Sequence, residues 1–95
     1  MLFRSGLRTW VKGELRQDAN TRDMVCNCFE QIEHLTTAFT LEPGDVIATG
    51  TPSGVGVVME PPQRLVAGDV VRIEIEGIGA IENSVIPEPA STQMI

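Results

Sequence analysis

The chain has little positive charge: seven Lys and Arg stand against thirteen Asp and Glu, for a net charge of −6. Nucleic-acid phosphates are gripped by clustered Lys and Arg, so that class of partner is excluded. The basic residues sit mainly in the first quarter (Arg4, Arg8, Lys12, Arg16, Arg22) and read as the solvated face of a hairpin. Only two cysteines occur, Cys26 and Cys28. On a helix, side chains two apart point about 200° apart at ~100° per residue, so this pair neither chelates one ion nor forms a disulfide easily. They read as small thiols in a reducing cytosol, which predicts a cytoplasmic protein. No apolar run approaches the ~20 residues that span a bilayer, and no apolar core near the start suggests a signal peptide. Membrane is therefore not an expected partner. Aromatic residues are also few: Phe3, Trp10, Phe29 and Phe39.

What is present suits one small domain, or part of a larger one. The hydrophobic fraction of 42% is that of a globular chain and argues against disorder. Nine Gly and six Pro, concentrated in the second half, point to strands and turns there.

Along residues 7–17, Leu7, Thr9 and Val11 alternate with Arg8, Trp10 and Lys12, and Lys12-Gly13 makes a tight turn. Glu14 to Gln17 returns as the second strand of a β-hairpin, and Asp18-Ala19-Asn20 reads as a loop. Thr21 is a candidate helix N-cap, with Asp23 in the first turn. Val25, Cys28, Phe29, Ile32, Leu35 and Phe39 then recur at helical spacing, which predicts one amphipathic helix over about 22–37. Pro43-Gly44 turns the chain into a short apolar strand at 45–49, and 57–59 is a further candidate strand. Val71, Ile73 and Ile75 alternate with Arg72, Glu74 and Glu76 as a half-exposed strand. Gly77-Ile78-Gly79 reverses it, and 80–86 returns antiparallel. Leu41-Glu-Pro-Gly-Asp-Val and Leu65-Val-Ala-Gly-Asp-Val share one pattern, a tight turn feeding a strand. The fold class is therefore α+β, mostly β.

The densest motif is the Gly- and Thr-rich loop Gly50-Thr-Pro-Ser-Gly-Val-Gly56. It lacks the Gly-Lys-Ser/Thr ending of a P-loop and no helix pattern follows it, so a nucleotide site is disfavoured. As a surface turn or a ligand-contacting loop it reads equally well. Glu74 and Glu76 share a strand face and could hold a hard cation, but their alternation with Ile73 and Ile75 favours a solvated face. His34, the only histidine, falls on the polar side of the helix with no partner at a catalytic spacing. Thr49, Thr51 and Ser53 have no evident general base, so they read as hydrogen-bonding groups.

Several motifs in order now carry a resemblance: Trp10-Val-Lys-Gly-Glu-Leu-Arg-Gln17, Asn20-Thr-Arg-Asp-Met24, Leu41-x-Pro-Gly-Asp-Val-Ile-Ala-Thr-Gly-Thr-Pro-Ser-Gly-Val-Gly56, Leu65-x-x-Gly-Asp-Val70, and Gly77-Ile-Gly79 with Glu82-Asn83. Over about residues 7–89 the chain resembles the C-terminal part of the fumarylacetoacetate hydrolase family. Segment 1–6 has no counterpart, and 90–95 is a tail. The resemblance implies part of a mixed β-sheet roll, usually dimeric, hence a homo-oligomer. It implies hydrolysis, decarboxylation or isomerisation of small 2-oxo-acids, acylpyruvate-like or 2-hydroxy-diene-dioate, from aromatic catabolism. It also implies a divalent cation (Mg²⁺, Mn²⁺ or Ca²⁺) that polarises the substrate. Thr51, with the Gly50 backbone, takes the family's place against the substrate carboxylate.

The family's metal carboxylates and its His–Glu pair lie upstream of the hairpin that opens this chain. The metal ligands and catalytic residues are therefore expected to be absent here, and neither Glu74-Ile75-Glu76 nor His34 replaces them. A truncated gene, an internal start or a split fragment would account for that. The expectation is a fragment inactive alone, or else a non-enzymatic module that self-associates or binds a partner.

Overall fold

The computed structural model describes residues 4–91. The expected tail 90–95 and the unassigned segment 1–6 thus lie partly outside the described residues. Four strands form one antiparallel sheet: β1 (Gly6–Val11), β2 (Glu14–Asn20), β3 (Val70–Ile75) and β4 (Gly79–Ser84), in the spatial order β2-β1-β3-β4. The single α-helix among the described residues, α1 (Cys28–Thr36), follows a 3-10 turn at Thr21–Asp23. The mostly-β architecture with one helix is the one the sequence predicts, and within the described residues every strand pairing is antiparallel.

Alternation sorts the sheet into two faces. On one, Leu7, Thr9 and Val11 stand opposite Ile75, Ile73 and Val71, and Ile73 in turn faces Ile81. On the other, Asp18 faces Arg8, Arg8 faces Glu74, and Arg72 faces Glu82. That charged face is laced by Arg8 Nε to Asp18 Oδ1 at 3.3 Å and Arg72 Nη2 to Glu74 Oε2 at 3.5 Å. These pairs are exposed and contribute little stability each. The apolar face is unfinished. Among the described residues no hydrophobic side chain is fully buried, and Ile81 keeps 61% of its surface exposed.

The hairpin turns at Lys12-Gly13 as the sequence indicates, with both residues at positive φ (55° and 76°). Its second strand is longer than expected. Asp18-Ala19-Asn20 is not a loop but pairs with Gly6 to Arg8. The helix is shorter than the predicted 22–37, because a capping box fixes its start. Glu30 N–H donates to Asn27 Oδ1 at 2.9 Å, and Asn27 N–H donates to Glu30 Oε1 at 3.4 Å. Thr21 instead ties down the chain's start, its Oγ1 accepting from Ser5 N–H at 2.9 Å. The apolar segment 45–49 joins no ladder among the described residues. Residues 56–58 form a 3-10 turn rather than a strand.

The repeated Gly-Asp-Val pattern is one turn used twice. Asp45 N–H donates to Glu42 O, and Asp45 Oδ2 accepts from Glu42 N–H at 2.8 Å. Asp69 repeats both bonds with Val66, at 3.1 and 2.9 Å. Gly44 (φ 96°) and Gly68 (φ 95°) occupy the third position, where this turn requires positive φ.

Candidate functional site

The site is built on an irregularity in β2. Thr9 pairs with Gln17 but Trp10 pairs with Leu15, leaving Arg16 as the extra residue of a β-bulge. In a regular strand Arg16 and Gln17 would point to opposite faces. Here both reach the same connection, the long segment between α1 and β3.

Gln17 holds the first part of that segment. Its Nε2 donates to Thr51 Oγ1 at 2.9 Å and to the Pro52 carbonyl at 3.2 Å. Arg16 holds the second part. Its Nη2 donates to Gln63 Oε1 at 2.6 Å and its Nη1 contacts Met59 Sδ at 3.6 Å, while its Nε lies 3.3 Å from Glu14 Oε1. Between these anchors, Gly54 lies flat on β2. A Cβ there would collide with the Arg16 carbonyl oxygen, and φ is +104°. The segment is also closed on itself, with Gln63 N–H donating to Gly56 O at 2.8 Å.

The clamped loop and the apolar sheet face border an open cavity of about 290 Å³, lined among others by Thr9, Val11, Gln17, Thr51, Gly54 and Val71. Thr51 is exposed at its wall, so its hydroxyl is accessible to a ligand. Gly50 adjoins Thr51 and is exposed, with φ +92° and open space where a Cβ would stand. The two residues expected to meet a substrate are thus adjacent and accessible.

The other candidates do not join them. Glu74 pairs with Arg72, and Glu76 Oε2 accepts from Gly6 N–H at 3.2 Å, which makes both part of the charged sheet face. His34 is exposed on α1, and its carbonyl accepts from Thr37. Cys26 and Cys28 are both free thiols. A second depression of about 470 Å³ lies over the charged face, where Arg8 and Arg22 are outnumbered by Asp18, Asp23, Glu74 and Glu76. Among the described residues no three His, Cys, Asp or Glu side chains converge on a possible metal position, so the residues present do not fit the divalent cation that the resemblance implies. Nor is any described helix long and apolar enough to cross a membrane.

Asp69 is a residue whose role the sequence did not disclose. It is 3% exposed, and its carboxyl is held below its ordinary pKa chiefly by the Val66 N–H, with Lys12 and Arg16 assisting against desolvation. The same holds for Gln17 and Arg16. Strand alternation gave no reason to put neighbouring residues on one loop; the repeated Gly-Asp-Val did single out Asp69 as a turn.

Comparison with known proteins gives a consistent result. The family described as "Fumarylacetoacetate (FAA) hydrolase C-terminal" matches residues 4–86. The chain is 51% identical over 81 residues to the mitochondrial oxaloacetate tautomerase fahd2 of Xenopus laevis, covering 85% of this chain and 25% of that protein. Its structure is similar to a fumarylacetoacetate hydrolase from psychrophilic Exiguobacterium antarcticum, with TM-score 0.85 and 45% identity over 90% of this chain and 31% of that one. It is also similar to maleylpyruvate hydrolase from Sphingobium sp. SYK-6, solved with manganese(II) and pyruvate, at TM-score 0.77 and 42% identity over 88% and 29% of the two chains. The chain spans about a quarter to a third of the length of these relatives.

Proposed function

The chain belongs to the fumarylacetoacetate hydrolase family through that family's C-terminal domain, and on this premise we propose that it supplies the carboxylate-facing wall of a 2-oxo-acid site. The observation that supports this reading is Thr51, accessible at the wall of the cavity and fixed there by Gln17. Gly50 beside it offers backbone that a ligand can approach closely. The matched ligand is a small 2-oxo-acid of the acylpyruvate or 2-hydroxy-diene-dioate type met in aromatic catabolism. The parent reaction is hydrolysis, decarboxylation or isomerisation of such an acid. The relative solved with manganese(II) and pyruvate makes a divalent cation and a 2-oxo-acid the relevant chemistry for the family.

In this reading the chain alone binds and orients a 2-oxo-acid without turning it over. Its setting is a reducing cytoplasm, in keeping with the free Cys26 and Cys28. A second reading, a module that self-associates as a homo-oligomer, is favoured by the open apolar sheet face with Ile81 61% exposed.

The test is direct. Purified chain incubated with Mg²⁺ or Mn²⁺ and an acylpyruvate is expected to release no product above background. Cleavage well above background would overturn the reading of a binding wall without catalysis.

A further inference from the structure

We propose that Gln17 is a positioning residue that sets the hydrogen-bond polarity of Thr51, turning its hydroxyl proton outward to an anionic oxygen. This rests on the reading of Thr51 as a carboxylate contact and adds the reason why a carboxylate suits it. A hydroxyl has one proton to donate and two lone pairs to accept with. The two ends of a Gln amide are nearly the same shape, so the bonds themselves must say which end faces the loop. The Pro52 carbonyl can only accept, and it lies 3.2 Å from Gln17 Nε2. The amide nitrogen therefore faces the loop. The same nitrogen is 2.9 Å from Thr51 Oγ1, so Thr51 is the acceptor in that bond. Its proton is left to donate, and a carboxylate oxygen can accept it where an ammonium cannot.

The surroundings leave this arrangement little freedom. The bulge at Arg16 sets the register at Gln17, Gly54 rests on the Arg16 carbonyl, and Arg16 secures the far part of the loop through Gln63. Gln17 is half-buried and Thr51 exposed, so the donor is held from within while the hydroxyl meets the ligand.

The experiment is a pyruvate titration of the full isotope-labelled chain, followed by the amide signals of residues 50–54 and the side-chain amide of Gln17. Wild type is expected to show saturable shifts. Thr51→Val and Gln17→Met are each expected to weaken binding about tenfold, the scale of one hydrogen bond to a charged group, whereas Thr51→Ser retains it. Gln17→Glu, which offers an acceptor in place of the donor, is expected to abolish the response with the far-UV circular dichroism unchanged. If Thr51→Val weakens binding and neither Gln17 variant does, the role of Gln17 is overturned and the carboxylate reading stands. If wild type gives no response to pyruvate, the carboxylate reading falls. The Gln17 geometry is then decided without ligand: a Gln17 side-chain amide signal that moves in Thr51→Val supports it, and one that stays in place overturns it.

Discussion

Lys12 Nζ lies 3.2 Å from Asp69 Oδ1 and ties the tip of the first hairpin to the turn that launches β3. The same carboxylate accepts from Val66 N–H through its other oxygen, and Lys12 N–H donates to the Val70 carbonyl. Two segments far apart in sequence are thus joined at one nearly buried acid.

Asp69 gives the fold a specific acid sensitivity. Its pKa is lower folded than unfolded, so its contribution is fully present above the ordinary carboxylate pKa of about 3.9 and is lost as pH falls through the lower folded value. Asp69→Asn keeps an acceptor for Val66 but carries no titrating charge. Urea unfolding between pH 7 and pH 2 is expected to show a smaller loss of stability on acidification in Asp69→Asn than in wild type. Identical pH profiles would remove Asp69 from the account.

Gly54 and Gly44 make a matched pair for testing the loop clamp. Both have positive φ, but a Cβ at Gly44 meets open space while one at Gly54 meets the Arg16 carbonyl. Gly44→Ala is expected to cost about 1 kcal/mol from backbone strain alone. Gly54→Ala is expected to cost more and to expose residues 50–63 to limited proteolysis. Equal costs in urea unfolding would mean that the loop does not rest on β2.

The capping box makes α1 dependent on Asn27. Every residue of this helix is half-buried or exposed, and Phe29 keeps 56% of its surface open. Asn27→Ala removes the acceptor for Glu30 N–H and is expected to cost about 1 kcal/mol. Circular dichroism should show reduced helix content with the sheet signal preserved. Unchanged helicity would show that the box is not what starts the helix.

The open sheet face predicts association. Ile81 stands exposed beside Ile73, and the outer side of β4 is unpaired among the described residues. Sedimentation is expected to show concentration-dependent self-association, reduced by Ile81→Glu. A sharply monomeric and stable species at all concentrations would contradict this.

The parts of the fold that were legible in the sequence are those whose signals are local. Alternation at Val71, Ile73 and Ile75 located β3, and Lys12-Gly13 located the hairpin turn, because neighbouring residues suffice to specify both. The helix start is not legible in the sequence because Thr21 and Asn27 are both good caps, and only the position of Ser5 shows that Thr21 is occupied elsewhere. Segment 45–49 has the composition of a strand, but a strand also needs a neighbour placed alongside it in register, which composition cannot reveal. Thr51 and Gly50 stood out as the densest loop motif. Gln17 did not, since the bulge that aims it depends on how β2 registers against β1.

The order β2-β1-β3-β4 also governs when the sheet can exist. Each hairpin needs only a tight turn, at Lys12-Gly13 and at Gly77-Ile78, and both can close early and independently. Joining them requires Val11 to find Val71 across the helix and the long loop, a closure whose entropy must be met before any β1–β3 bond forms. Until that closure the apolar face of the first hairpin stays uncovered. The cavity beneath Thr51 depends on that closure, because its walls include Thr9 and Val11 from β1 and Val71 from β3.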